Sequence, residues 1–337
     1  LLPEGEYHAF TTSGSEGQPK WVLLSKQALQ ASAKAVNEHL EVTHTDRWLI
    51  ALPQHHVGGW SIRERVELAG VPWHELTERW SAQGFYAACA EHGITLSSLV
   101  PAQVYDLVQA GLHAPASLRA IIVGGGTLAL ELGLRAQQLG WPVLQSYGMT
   151  EAASQIATEP LDHLYTGFNP EDLELLPHWQ VKVEAEERLI LTGPALATGC
   201  AWQKQTGTWR WQALGESYLT RDRVSLWQHG RRQFLRFLGR EAEMLKILGE
   251  LVSLQALQTV LSSITPHATI VTQPHPRRGH ALLLVHELSA PEAEQVRQQY
   301  DAQVRSFERI QAMQAVAQLP RSELGKIRVQ ELRNLLS

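Results

Sequence analysis

The chain has 337 residues, 44% hydrophobic and 19% charged, which is enough apolar surface for a core and excludes disorder as its main state. The net charge of -5 leaves no part of the chain with the basic excess on which phosphate binding depends, so nucleic acid is excluded as a partner. There is no run of ~18 apolar residues to enter a membrane and no basic stretch of a signal peptide in the first twenty residues; with only two distant cysteines, Cys89 and Cys200, the expected compartment is the reducing cytoplasm.

Ser25 is placed to cap a helix whose apolar positions Leu29, Ala33, Val36 and Leu40 follow a 3.6-residue period. Trp48 to Leu52 reads as a buried strand, Leu96 to Val100 as a second, and Val104, Leu107 and Val108 as the face of the helix after it. Leu118 to Val123 is a third strand, ending in Gly124-Gly125-Gly126, and Pro142 to Gln145 a fourth. Strands alternating with helices imply a parallel sheet, whose ligands bind at the carboxyl ends of the strands. From Trp179 the pattern becomes β: Val181 and Val183 alternate against Leu189 and Leu191 around Glu186-Glu187, a hairpin. Short strands follow at Trp209 to Trp211, Tyr218 to Thr220, Val224 to Leu226 and Phe234 to Leu238. Beyond Gly239 come a helix at Leu254 to Leu261, a hairpin across Ala268 to Val285, a helix from Pro291 to Val304, a strand from Ala315 to Leu319 and a helix from Val329 to Leu336. The expected division is therefore 1–238, a large α/β domain with a β-rich part, and 239–337, a small α+β domain.

Thr12-Ser13-Gly14-Ser15-Glu16-Gly17-Gln18-Pro19-Lys20 is a loop of hydroxyls and glycines ending in a cation, suited to phosphate oxygens, although it lacks the Walker A spacing. Alone it reads more readily as a polar surface loop. It is followed in order by Gly124-Gly125-Gly126, Tyr147-Gly148-Met149-Thr150-Glu151, Tyr218-Leu219-Thr220-Arg221-Asp222, Gly239-Arg240 and Pro320-Arg321-Ser322-Glu323-Leu324-Gly325-Lys326-Ile327. This order resembles the adenylate-forming superfamily of acyl-CoA synthetases, luciferases and peptide-synthetase adenylation domains, over nearly the whole chain from Thr11 to Lys326. The runs Leu52-Pro53-Gln54-His55-His56-Val57-Gly58-Gly59, Ser98-Leu99-Val100-Pro101-Ala102-Gln103 and Thr220-Arg221-Asp222-Arg223 resemble, more narrowly, its branch of o-succinylbenzoate–CoA ligases of menaquinone synthesis.

The resemblance implies the adenylate-forming fold and a reaction that joins a carboxylic acid to AMP and passes the acyl group to coenzyme A, with ATP and Mg²⁺ required. It implies that Lys326 bridges the acid carboxylate and the α-phosphate, that Thr12, Ser13, Gly14, Ser15, Gly17 and Lys20 hold the β- and γ-phosphates, that Thr150 touches the α-phosphate and that Glu151 holds Mg²⁺. Asp222 would take both ribose hydroxyls, with Arg240 at the domain boundary. Gly124, Gly125, Gly126, Ser146, Tyr147 and Gly148 would line the adenine and acyl pocket, with Val100 and Pro101 beside it and His56 closing the acyl side. The second carboxylate of a diacid needs a clamp, for which Arg65, and after it Arg63, is the candidate; an ordinary helix-surface arginine is the other reading. Lys246 and Gly249 would face the site after the small domain rotates for the CoA step. Each residue also has a plain reading: Lys326 a solvated lysine, Asp222 a surface ion pair, Glu151 a first-turn acid favoured by a helix dipole.

Three positions depart from the pattern. Glu16 replaces a threonine, Ala242 replaces the hinge Asp or Lys, and the phosphate loop begins almost at once, so part of the large domain is expected to be missing, which would favour self-association. A ligase for another acid and a non-catalytic binder of nucleotide or acyl-adenylate are the competing functions.

Overall fold

The computed structural model describes residues 5–13, 19–203, 207–240, 244–248, 250–322, 325 and 327–336. The chain divides into two compact units, one formed by Leu1–Thr220 with Val224–Arg236 and the other by Arg221–Arg223 with Phe237–Ser337.

In the first unit the helix Lys26–His39 begins where Ser25 Oγ accepts a hydrogen bond from the Ala28 amide at 3.1 Å, which satisfies one of the free donors of the first turn. Its apolar face, including Leu29, Ala33 and Val36, is buried. The strands Trp48–Ile50, Leu96–Leu99, Ala120–Val123 and Val143–Met149 are buried at nearly every position because they are covered on both faces. They pair in parallel, with the short strand Trp73–Glu75 at the edge. Around them pack Phe85, Leu107, Leu132 and Trp141 from the covering helices and loops.

At Val143–Met149 the sheet changes character: parallel to Ala120–Val123 on one side, antiparallel to Ser154–Thr158 on the other. Antiparallel strands continue from there, so the β-rich region is an extension of the same sheet, eleven strands wide among the described residues. The hairpin Gln180–Val183 with Arg188–Thr192 sets Val181 opposite Leu191 and Val183 opposite Leu189. The two strands expected at Tyr218–Thr220 and Val224–Leu226 are one, Ser217–His229. Its buried side runs Thr220, Asp222, Val224, and the polar members of that row hide the alternation from a hydrophobic reading. A second sheet, of four strands among the described residues, contains the hairpin Tyr7–Ser13 with Pro19–Ser25; periodicity did not announce it.

The second unit carries a five-stranded sheet among its described residues, with the helices Leu254–Ile264, Ala290–Asp301 and Val329–Leu336. The strand expected at Ala315–Leu319 lies at Ala312–Ala315, parallel to Gly279–His286. Val316 and Leu319, which suggested it, pack into a small core with Val285 and Leu332 after the strand has ended. Among the described residues no helix is long and apolar enough to cross a membrane.

Candidate active site

Six of the sequence candidates follow the carboxyl ends of four parallel strands. Trp48–Ile50 leads to His56, Leu96–Leu99 to Val100 and Pro101, Ala120–Val123 to Gly124, and Val143–Met149 to Thr150 and Glu151. Each crossover returns the chain to the same edge, which is why residues 100 apart in sequence gather there.

The hairpin Tyr7–Ser13/Pro19–Ser25 places Thr12 opposite Lys20. Lys20 Nζ reaches Glu151 Oε1 at 2.5 Å, joining positions 131 residues apart. Burial works to lower the Lys20 pKa, but the Glu151 carboxylate overrides it and holds the ammonium above its ordinary value. Burial pushes the Cys200 thiol up, while the nearby Lys20 ammonium works against that rise. The Glu151 loop is held from two sides: Ala197 N–H donates to Glu151 O at 2.8 Å, and Ser32 Oγ donates to Ala153 O at 2.8 Å. Thr150–Ala152 form a short 3₁₀ turn, after which Ala153 and Ser154 take φ of 47° and 96°. Left-handed backbone at two consecutive non-glycine residues is strain that the surrounding contacts must hold.

The glycine run leaves its strand with Gly124 N–H donating to Leu99 O at 3.0 Å. Ser146 Oγ donates to Val123 O at 3.0 Å, and Gly125 has φ +76°, so the loop turns beside Ser146. Pro101 opens the helix Pro101–Gln109, where Gln103 Oε1 accepts from Val100 N at 3.0 Å. His56 is the N-cap residue of the helix Val57–Ala69, its ring 4.3 Å from that of His55.

Arg65 corrects one sequence reading. It is not a helix-surface residue: only 2% is exposed, with Nη2 donating to Ser61 Oγ at 3.1 Å and Gln155 Oε1 at 2.7 Å, and the guanidinium 5.6 Å from the Trp48 ring. No carboxylate pairs with it among the described ion pairs, and burial alone draws its pKa down to about 9, so it remains a cation at neutral pH. Gln155 is the register partner of Gly148, which ties Arg65 to the Tyr147–Glu151 hairpin. Arg63 is the surface arginine, bonded to Glu67 at 3.2 Å.

In the second unit, Arg240 Nε donates to the buried Asp222 carboxylate at 2.8 Å. Gly14, Ser15, Gly17, Gly249 and Lys326, together with Glu16 and Ala242, lie outside the described residues, and Ser13 and Lys246 are described in backbone only.

Motif reading overlooked Gln145 and Glu159. Glu159 is fully buried; its carboxylate accepts from Gln145 N at 2.5 Å, Asn169 N at 2.6 Å and His163 Nδ1 at 3.1 Å. The bond to Glu159 raises the His163 pKa above 6.5 despite burial. Since the folded state then binds the proton more tightly, its stabilisation is complete below the unfolded pKa and is lost as pH rises through the raised folded value. His163→Gln is accordingly expected to flatten stability against pH above 6.5, read from denaturant midpoints across that window. An unchanged slope would show that the Glu159 bond is not linked to protonation.

Among the described residues no group of three or more His, Cys, Asp or Glu is placed to hold a metal. A hard cation at Glu151 would thus take its other oxygens from a ligand and water, as Mg²⁺ commonly does.

A family model described as AMP-binding enzyme matches residues 8–189, just over half of the chain. A 2-succinylbenzoate–CoA ligase of Bacillus subtilis (strain 168) is 37% identical over 149 residues, 44% of this chain and 30% of its own length. One of Bacillus mycoides (strain KBAB4) is 30% identical over 265 residues, 75% of this chain and 53% of its own. The chain thus spans about a third to a half of these curated relatives. Among solved structures, o-succinylbenzoate coenzyme A synthetase from Bacillus subtilis in complex with AMP superposes with a TM-score of 0.77 at 25% identity, covering 96% of this chain and 68% of that one.

Proposed function

The chain belongs to the family of AMP-binding enzymes, and from that premise we propose that it is an ATP-dependent, AMP-forming acid–CoA ligase acting on o-succinylbenzoate in the cytoplasm. In the first step a carboxylate oxygen of the acid attacks the α-phosphorus and the bond to pyrophosphate breaks. In the second the sulfur of coenzyme A attacks the acyl carbon, the thiol proton is lost to solvent and AMP leaves. The first step brings two anions together, so its barrier falls with charge neutralisation and alignment.

Lys20 and the loop before it hold the β- and γ-phosphates in this reading. Phosphate entry would draw the Lys20 ammonium from Glu151, freeing that carboxylate for Mg²⁺, which supplies charge neutralisation on the phosphates. Thr150 contacts the α-phosphate, and the backbone of Gly124–Gly126 with Ser146, Tyr147 and Gly148 receives the adenine. Asp222 binds the ribose hydroxyls with Arg240 beside it. Lys326 bridges the two reacting anions, and residues 239–337 rotate to admit the CoA thiol past Lys246 and Gly249. His56 bounds the acid, along with Val100 and Pro101.

The observation that carries the choice of a diacid is Arg65, a buried cation whose partners among the described residues are neutral acceptors. A second carboxylate on the substrate would supply the missing counter-charge.

The test is mass-spectrometric turnover with ATP, Mg²⁺, coenzyme A and a panel of mono- and dicarboxylic acids, with Lys326→Ala as control. Acyl-CoA and AMP from o-succinylbenzoate, lost in the variant, are expected. Adenylate without thioester would restrict the activity to the first step. ATP binding without either product, for any acid, would replace the ligase by a nucleotide-binding protein.

A further inference from the structure

We propose that Gln145 is the positioning residue of the base loop: its carboxamide fixes Gly124–Gly126 against Ser146 and thereby sets the groove for the nucleotide base. The inference rests on the nucleotide reading of that loop given above.

Gln145 lies on the last parallel strand and is only 4% exposed. Nε2 donates to Ser146 O at 2.7 Å, Gly126 O at 3.1 Å and Val123 O at 3.3 Å, two N–H groups shared among three carbonyls. Oε1 accepts from Leu128 N at 2.6 Å. The amide orientation is therefore determined, since a flipped group would set oxygen against three carbonyl oxygens. One side chain thus binds the strand before the glycine run, the run itself, the residue two beyond it and the Ser146 backbone.

The loop has few other means of holding its shape. Gly125 has φ +76°, and a Cβ on Gly126 would meet only Pro101, at 3.6 Å, so packing leaves room there. Gln145 is itself anchored, with its N–H on Glu159 Oε2 at 2.5 Å and its C=O accepting from Glu159 N at 2.9 Å. A buried network with every member satisfied rigidifies its surroundings. Here that rigidity falls on a glycine loop, where backbone freedom is greatest and the ordering cost of binding a flat base would otherwise be highest. Gln145 touches no reacting atom in this account.

The test uses the full chain with Gln145→Met, close in volume but without the polar contacts, and Gln145→Asn, polar but one methylene too short. ATP affinity is measured by calorimetry without acid, KM for ATP and for the acid are measured separately, and exchange protection of the Leu128 amide is followed in ligand-free protein. Both variants are expected to bind ATP about tenfold more weakly, to lose Leu128 protection and to keep the KM for the acid. The Gln145→Asn variant decides the matter should Gln145→Met fail to fold. Undiminished ATP affinity in a folded variant overturns the inference, as does an equal loss for ATP and acid, which would mark a general packing role. Absence of ATP binding by the unaltered protein overturns the nucleotide reading and this inference with it, an outcome separate from failure of the variants alone.

Discussion

Arg65→Met is expected to stabilise the ligand-free protein by ~1–4 kcal/mol while lowering kcat/KM for a dicarboxylic acid by about a hundredfold. The two effects have opposite signs because the guanidinium is in a place that suits a ligand better than the fold. It is 2% exposed, its Nε has no partner among the described residues, and its Nη2 bonds go to a hydroxyl and a carboxamide. Burying a charge without a counter-charge costs more than neutral hydrogen bonds return. Methionine fills similar space beside Trp48 without that cost. A bound carboxylate, by contrast, would recover the cost through charge-assisted hydrogen bonds, and the variant loses that gain. Denaturant unfolding without ligand, run beside kinetics on matched mono- and dicarboxylic acids, separates the two terms. Destabilisation with equal losses for both acids would make Arg65 a structural residue.

Gly148→Ala is expected to cost ~3–5 kcal/mol of stability and to abolish ATP binding. A Cβ there would overlap Ser154 O and lie 2.6 Å from Ser154 C, both backbone atoms. The strand pair shifts register between Tyr147 and Gly148, which brings the two backbones this close. Ser154 has little room to retreat: it has φ 96°, its neighbour Ala153 is held through Ser32 Oγ, and Gln155 beyond it is engaged by Arg65. The alanine methyl therefore displaces the turn that carries Thr150 and Glu151. Gly126→Ala, whose methyl meets Pro101 at 3.6 Å, serves as the stability control and should unfold like the unaltered protein. Unfolding curves on both variants and ATP calorimetry on Gly148→Ala beside the unaltered protein test the contrast; a well-folded, ATP-binding Gly148→Ala protein would mean the turn is far softer than its contacts indicate.

The elements most legible in the sequence are those whose cause is local. The Ser25 cap and the 3.6-residue period identify the helix Lys26–His39, and four apolar runs ending in turn residues identify the parallel strands. The order of short motifs identifies the family. Glycine at 148 marks a place where two backbones come too close for any side chain. Other features depend on partners distant in sequence, which no local pattern encodes. The β region joins the parallel sheet through Val143–Met149 because that strand offers two hydrogen-bonding edges, and only packing assigns the second. Lys20 meets Glu151 across 131 residues because the start of a strand in the four-stranded sheet lies beside the turn that follows Val143–Met149 in the larger one. Gln145 and Glu159 form no motif, and their role arises from burial that obliges every polar group to find a partner. Arg65 and Arg63 are two residues apart on one helix, chemically identical in sequence. The tertiary structure alone makes one a surface ion pair and the other a buried cation, because a residue's depth is set by what covers its side of the helix.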